Sequence, residues 1–407
     1  MNVLLVNTHP NGGAAKACIQ LHLALLKAGV ASRLLFLHKE DSQVPESYEF
    51  RNNPSKSERI LFKIKEKVHF FRYLKPVHDR PPGYEGFHPA TSIYDITQHP
   101  AYAWADVINL HWVASFIDFA SFFAKNTKPV VWTLHDMWPF TGGYHYEKGF
   151  PKTAYTALIQ RNLKLKNKAL RNAILKIVSP SKWLLERSQS STILQHFDHH
   201  HIPNSLNSCL FQPLEKQMAR EVLRLPQDKK IILFVADAVH NRRKGFEIML
   251  NAFRALSTQN VALAVIGKYR GKFPKADNLY FLDQIANEKF LRIGYSAADL
   301  FVISSVEDNF PNTILESLFC GLPVVGFEIG GIPDMIENGK NGWLCPTINA
   351  GNLAGTIQKA LQTPFDHQAI RAKAIEKYNP ETQAKKYIDL FETVTQHQIA
   401  WKARRDF

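Results

Sequence analysis

At 407 residues and 45% hydrophobic composition, the chain is too long for one ordinary core and suits two globular domains of roughly 200 residues each. Its formal charge of +14 calls for an anionic partner, a polyanion or a membrane face. Four dispersed cysteines, Cys18, Cys209, Cys320 and Cys345, lack metal-type spacing and fit a reducing, cytoplasmic setting, and no apolar run approaches the ~18–20 residues of a spanning helix.

MNVLLVNTHP has neither a basic leader nor a cleavage site, so Val3 to Val6 reads as a first buried strand rather than a signal peptide. A loop through Gly12 and Gly13 follows. The next helix has Ala17, Leu21, Leu25 and Ala28 on one face, with Gly29 closing it before a strand from Ser32 to Leu37. This is a β-loop-α-β unit of the doubly wound kind, without the G-x-G-x-x-G of a dinucleotide site.

From Lys56 to Lys75, Ile60, Ile64, Val68 and Phe71 form one helical stripe, widened by Leu61 and Leu74, among seven Lys/Arg and two Glu. Such a helix either meets an anionic membrane surface or packs on its own domain with a solvated basic back. A second basic run, Arg161 to Lys176, has six Lys/Arg and no acid. No RNA-binding or zinc-finger pattern accompanies either run, so nucleic acid is not expected.

Short buried strands Val107–Leu110 and Pro129–Leu134 end at His111-Trp112 and at His135-Asp136-Met137-Trp138. Their shared carboxyl ends define a crevice, where Asp136 either orients His135 or caps a turn. HFDHHH at 196–201 is not read as a metal site, because successive residues of an extended segment face opposite ways. Beyond Ile202-Pro203-Asn204-Ser205, a strand from Ile231 to Val235 leads through ADAVHNRRKG to a helix opened by Lys244-Gly245. Arg243 and Lys244 at that helix start would hold an anion. Strands Val261–Gly267 and Leu279–Leu282 follow; Val324–Phe327, Gly330-Gly331 and a helix from Pro333 continue the alternation, and a last helix runs from about Glu381 to Ala400.

The stretch Leu300 to Pro323, LFVISSVEDNFPNTILESLFCGLP, is a buried strand, a polar loop and a helix with Ile314, Leu315, Leu318 and Phe319 on its apolar face. Pro311 is expected in the first turn, where its missing N–H is no loss. Asp308 falls in the loop and Glu316 on the helix, suiting a ligand with hydroxyls and phosphates.

This stretch resembles the signature of the retaining GT-B glycosyltransferases of family four, in which a Glu, seven residues and a second Glu precede a small-residue–Gly–Pro turn. Phe310, Leu315, Glu316, Gly321 and Pro323 match it as they stand. Asp308 takes the first Glu position with a reach shorter by about 1.5 Å, one C–C bond, and Glu307 is the alternative acid one residue away. The segment TLHDMWPFTGG is similar to a subgroup acting in surface-polysaccharide and lipopolysaccharide assembly, although YHYEKGFPKTAY lacks the cysteine of its related members.

The resemblance implies two Rossmann-like α/β domains facing a central cleft: an acceptor-side domain over 1–201, a donor-binding domain over 202–384, and a terminal helix, about 385–407, returning to the first. It implies a nucleotide-sugar co-substrate, UDP- or GDP-linked, and a glycan or lipid-linked acceptor. On the donor side it places Gly12, Gly13, Arg243 and Lys244 by the diphosphate. The base falls to Gln284 and Ile285, the donor sugar to Asp308, and the ribose to Glu316; Phe310, Asn312 and Thr313 line the same site. His135 would touch the donor sugar or the acceptor hydroxyl, with His111, Trp112, Asp136 and Trp138 on the acceptor side. The family's usual Arg lies where this chain has Ala238, so Arg243 or Arg242 must substitute. No Asp-x-Asp is present to hold a metal, and a metal-independent, retaining enzyme is expected. The alternatives are a catalytically inactive GT-B scaffold that binds polymer, or a nucleotide-sugar epimerase.

Overall fold

The computed structural model describes residues 1–38, 43–50, 56–75, 85–256, 260–285 and 287–403. The chain divides into two compact units, Met1–Pro203 with the segment from Pro380, and Asn204–Asn379.

The first unit is built on strands β1 (Asn2–Asn7), β2 (Ala31–Phe36), β3 (Ser47–Glu49), β4 (Val107–Leu110), β5 (Val130–Thr133), β6 (Leu175–Ser179) and β7 (Asp198–His201). They form one parallel sheet in the order β3-β2-β1-β4-β5-β6-β7. Helices α1 (Gly13–Lys27), α2 (Lys56–His69), α3 (Pro100–Trp104), α4 (Phe119–Lys125), α5 (Thr156–Leu170) and α6 (Lys182–Gln189) belong to the same unit. Alternate strand residues serve two separate cores, as a sheet covered on both faces requires. Leu4, Val6, Ile108 and Trp132 pack on one side with Phe119 and Phe122 of α4. Val3, Leu5, Val107 and Val131 pack on the other with Leu21 and Leu25 of α1. The strand order reverses between β1 and β4, which makes their carboxyl ends the natural place for a site.

The second unit contains β8 (Lys230–Ala238), β9 (Val261–Lys268), β10 (Leu279–Phe281), β11 (Leu300–Ile303), β12 (Val324–Phe327) and β13 (Gly342–Cys345). Its parallel sheet runs β10-β9-β8-β11-β12-β13. Around it lie α7 (Lys216–Val222), α8 (Phe246–Ala255), α9 (Glu288–Ala297), α10 (Asn312–Phe319), α11 (Ala350–Gln362) and α12 (His367–Lys377). The expected helix from Pro333 is only a single 3-10 turn, Ile332–Asp334. Pro311 is the residue before α10 rather than a member of its first turn, with an extended ψ of 117°.

A last helix, α13 (Pro380–Ala403), sets Ala384, Tyr387, Phe391 and Val394 into the core that α1 lines. The Tyr387 hydroxyl is 2.9 Å from Thr133 Oγ1 at the end of β5. Residues 404–407, the end of the expected terminal helix, lie outside those described.

α2 continues as a π-turn, Phe70–Leu74. Its apolar stripe is not packed on the unit: Ile60, Leu61, Ile64, Val68 and Phe71 are 52–63% exposed. Contact with the unit is made from the other side, by Phe62 against Tyr94, His69 against Thr91, and Tyr73 beneath Arg161 of α5. No described helix is long and apolar enough to cross a membrane.

Candidate active site

In the second unit the polar residues gather at the carboxyl ends of β8 and β11. The loop after β11 is buried except at the half-buried Val306, and Asp308 is buried with it. The Asp308 carboxylate receives Lys244 Nζ at 2.7 Å, Arg243 Nη1 at 3.1 Å and the Ser305 hydroxyl at 3.1 Å. Its other oxygen accepts from the Asn309 amide at 3.1 Å. Burial alone would raise the Asp308 pKa, but the charges of Lys244 and then Arg243 overcome it and hold the group at about 2. The Asp308 carboxylate thus meets both Lys244 and Arg243. Glu307 meets Arg243 through its backbone carbonyl, at 2.9 Å.

Arg243 and Lys244 do not open the helix, as expected from the sequence, but form a 3-10 turn, Arg242–Lys244, ahead of it. The difference comes from Gly245, whose φ of +68° ends the turn before α8 begins. A Cβ on Gly245 would lie 2.0 Å from the Ser304 carbonyl. That close approach lets Ser304 Oγ donate to the Gly245 carbonyl and the Val306 amide donate to the Arg243 carbonyl. Gly330 does the same on the other side of the loop, its would-be Cβ 2.0 Å from the Asp308 carbonyl.

Glu316 is buried on α10 and accepts from the Tyr295 hydroxyl at 2.8 Å. Burial, and then the Glu316 charge, push the Tyr295 phenol well above its ordinary range. Phe310 is buried edge-on against Tyr378, while Asn312 and Thr313, half-buried, form the first turn of a helix with no side-chain cap. Gln284 is exposed and Ile285 half-buried in the loop after β10, on the same edge of the sheet as Asp308.

In the first unit, β4 and β5 deliver His111-Trp112 and His135-Asp136 side by side. His111 Nδ1 is 2.9 Å from His135 Nε2, and His111 Nε2 is 3.0 Å from Asn109 Oδ1. Burial keeps both rings neutral, His135 with a pKa near 4 despite the Asp136 charge, and His111 well below its ordinary value. Asp136 is ionised and accepts from Trp112 Nε1 at 2.8 Å, His145 Nδ1 at 2.7 Å and the Trp138 amide at 2.8 Å. It thus caps the turn and holds His145, and His111 bonds His135. Trp138 is buried and donates to the His88 carbonyl at 2.8 Å. Gly12, with φ +92°, is the residue before α1, and Gly13 is exposed as its first residue.

The sequence alone did not point to Asn109, His88, His145, Lys166, Tyr295 or Ser305. Lys166 was counted with the surface bases of α5, yet it is fully buried. Its ammonium donates to the carbonyls of Trp138 and Thr141 and lies over the Trp138 ring. It ties the WPFTGG turn to α5, and burial lowers its pKa well below the usual value. Within HFDHHH, His199 and His201 bond to separate backbone carbonyls, those of Phe197 and Pro180. Among the described residues no three His, Cys, Asp or Glu side chains converge as metal ligands.

Two Rossmann-like units of parallel strands, each with its polar residues at the carboxyl edge, define the class: a GT-B fold. Sucrose-phosphate synthase from Thermosynechococcus elongatus superposes with a TM-score of 0.70 at 20% identity, over 97% of this chain and 99% of that one. HepE of Anabaena, solved with UDP-glucose, gives 0.66 at 15% identity over 97% and 100%. Residues 229–363, within the second unit, match the family of glycosyl transferases group 1. D-inositol 3-phosphate glycosyltransferase of Mycolicibacterium smegmatis is 29% identical over 164 residues, which span 37% of this chain and only 37% of that protein.

Proposed function

We propose that the chain transfers a sugar from a UDP- or GDP-sugar to a glycan or lipid-linked acceptor, with retention of anomeric configuration and without a metal. The observation that carries this reading is the meeting of Lys244 and Arg243 at Asp308, within residues that match the glycosyl transferases group 1. Cleaving the anomeric C–O bond leaves negative charge on the departing diphosphate. Lys244, Arg243 and the first-turn amides of α10 offset that charge, usually the largest catalytic term in such a site. Asp308 would receive donor-sugar hydroxyls and Glu316 the ribose. The acceptor oxygen bonds to the anomeric carbon on the face the nucleotide leaves, and its proton passes to the departing phosphate oxygen. His135 would contact sugar hydroxyls on the acceptor side.

We place this activity in surface-polysaccharide or lipopolysaccharide assembly at an anionic cytoplasmic membrane face. The TLHDMWPFTGG segment and the outward apolar stripe of α2, flanked by Lys63, Lys65, Lys67 and Arg72, support that placement. One observation favours a second reading, a binding protein without turnover: the Asp308 carboxylate already accepts four donors. Incubation with radiolabelled UDP- and GDP-sugars, with and without lipid-linked acceptor and with chelator present, separates the two. Transfer product with a retained anomeric configuration supports the transferase; nucleotide binding with no product on any acceptor supports the binding protein.

A further inference from the structure

We infer that Lys166 is the buried countercharge of Asp136, and that the two, acting through the backbone of Trp138, position the WPFTGG turn that follows His135. The catalytic part rests on placing His135 and Asp136 in the acceptor-side site; the charge pairing itself does not.

Both groups are buried, Asp136 at 6% exposure and Lys166 at 0%. They do not touch. The Lys166 ammonium donates to the carbonyls of Trp138 and Thr141, the second at 2.9 Å. The Trp138 amide donates to Asp136 Oδ1 at 2.8 Å. Trp138–Phe140 is a 3-10 turn, so the carboxylate stands at its amide end and the ammonium at its carbonyl end, the sense its dipole favours. A lone ammonium in such a place would give up its proton, because burying an unpaired charge costs more than neutralising it. Burial does work against the charge on Lys166, and the Asp136 carboxylate works for it. The ring faces agree with a cation: Nζ lies 4.4 Å from the Trp138 centroid and 5.0 Å from that of Phe119. A neutral amine bonded to the same two carbonyls would turn its lone pair toward those electron-rich faces.

The other Asp136 oxygen is held by Trp112 Nε1 and by His145 Nδ1, and His145 Nε2 is in turn 2.6 Å from His88 Nδ1. Asn162, one turn before Lys166 on α5, donates to the Gly142 carbonyl at 2.8 Å. It grips the same turn without a charge. Lys166 and Asn162 are therefore positioning residues of two kinds, and only Lys166 should depend on Asp136. Removing either charge leaves the other buried and alone, whereas removing both together costs less than the two losses summed.

The test is a ¹⁵N lysine side-chain spectrum of the full-length protein at pH 7, with Lys166→Met used to assign the signal. An ammonium is expected at Lys166 in the wild type and in Asn162→Leu, and a neutral amine in Asp136→Asn. An amine in the wild type, or an ammonium that survives Asp136→Asn, would overturn the inference. Urea midpoints give a second readout. Lys166→Met with Asp136→Asn should lose less than the sum of the single losses, while Asn162→Leu with Asp136→Asn should lose about the sum; additivity in both pairs would also overturn it. The wild-type spectrum still decides the charge of Lys166 if a variant fails to fold. Lys166→Met should lower sugar transfer from labelled UDP- or GDP-sugar about tenfold or more and leave UDP and GDP binding unchanged. Full transfer by that variant would remove Lys166 from the positioning role. The expected charge pair in a wild type that transfers to no acceptor would count against the transferase reading alone.

Discussion

The ammonium of Lys244 lies 2.7 Å from the carboxylate of Asp308, joining the loop after β8 to the loop after β11 across 64 residues of sequence. With Arg243 at 3.1 Å from the same oxygen, the trio carries one net positive charge. If an anion drew Lys244 away, Arg243 and the Ser305 hydroxyl would still hold that oxygen.

This pairing makes stability depend on acid pH. Asp308 is held at about 2, below its model-compound value of 3.8. Its folded value is depressed, so the stabilisation is fully present above about pH 4 and is lost as pH falls toward 2. The group contributes roughly 2 kcal/mol. Asp308→Asn should be less stable than wild type at pH 7, and the gap should narrow steadily below about pH 4. Urea unfolding across that range checks it; a gap independent of pH would contradict the ion pair.

Gly245→Ala should damage the site from outside it. The added Cβ would press on the Ser304 carbonyl at 2.0 Å, in a left-handed conformation that alanine disfavours. A loss of about 2–4 kcal/mol is expected, with nucleotide affinity falling as the Arg243–Lys244 turn shifts. Thermal unfolding and nucleotide titration of the variant are the measurements; wild-type values in both would show that the turn is not held as described.

Much of this was legible in the sequence, and the failures have a common cause. The run LFVI followed by a polar loop located β11, Asp308 and Glu316, because a buried strand, a turn and an amphipathic helix each leave a local signal. Arg243 and Lys244 were identified, but not their bonds to Asp308, since no local pattern reports which loops a parallel sheet brings together. Asn109, Tyr295 and Lys166 were missed for the same reason; each looks like an ordinary strand or helix residue until its partner, Val131, Glu316 or Trp138, is in place. The edge strands β3 and β13 have too few buried residues to show an apolar run. The stripe on α2 was read as a stripe, but periodicity cannot say whether such a face turns inward or out.

Tyr295→Phe tests the second acid. The hydroxyl at 2.8 Å from Glu316 is buried with it. Its removal takes a donor from a buried acidic side chain, at a cost of about 1–3 kcal/mol. Nucleoside binding should weaken with it, because Glu316 loses a fixed orientation. Chemical denaturation and calorimetric titration decide; no change in either would make the bond incidental.

The outward stripe of α2 gives a prediction with no cost to folding. Ile64→Glu with Val68→Glu replaces exposed residues, so unfolding should move by less than about 0.5 kcal/mol for each substitution. Sedimentation with anionic vesicles should fall sharply, and neutral vesicles should bind weakly in both proteins. Equal sedimentation of the variant with anionic vesicles would contradict the membrane placement.

The most direct test of the donor site is a calorimetric and thermal-shift titration with UDP and GDP, comparing wild type with Lys244→Met. At ~100 times its dissociation constant, a bound nucleotide should add about 2.7 kcal/mol to the stability of the wild type. One of the two should do so, with the effect lost or greatly reduced in the variant. No binding of either nucleotide, or binding unaffected by removal of the Lys244 ammonium, would contradict the assignment of this cluster to the diphosphate.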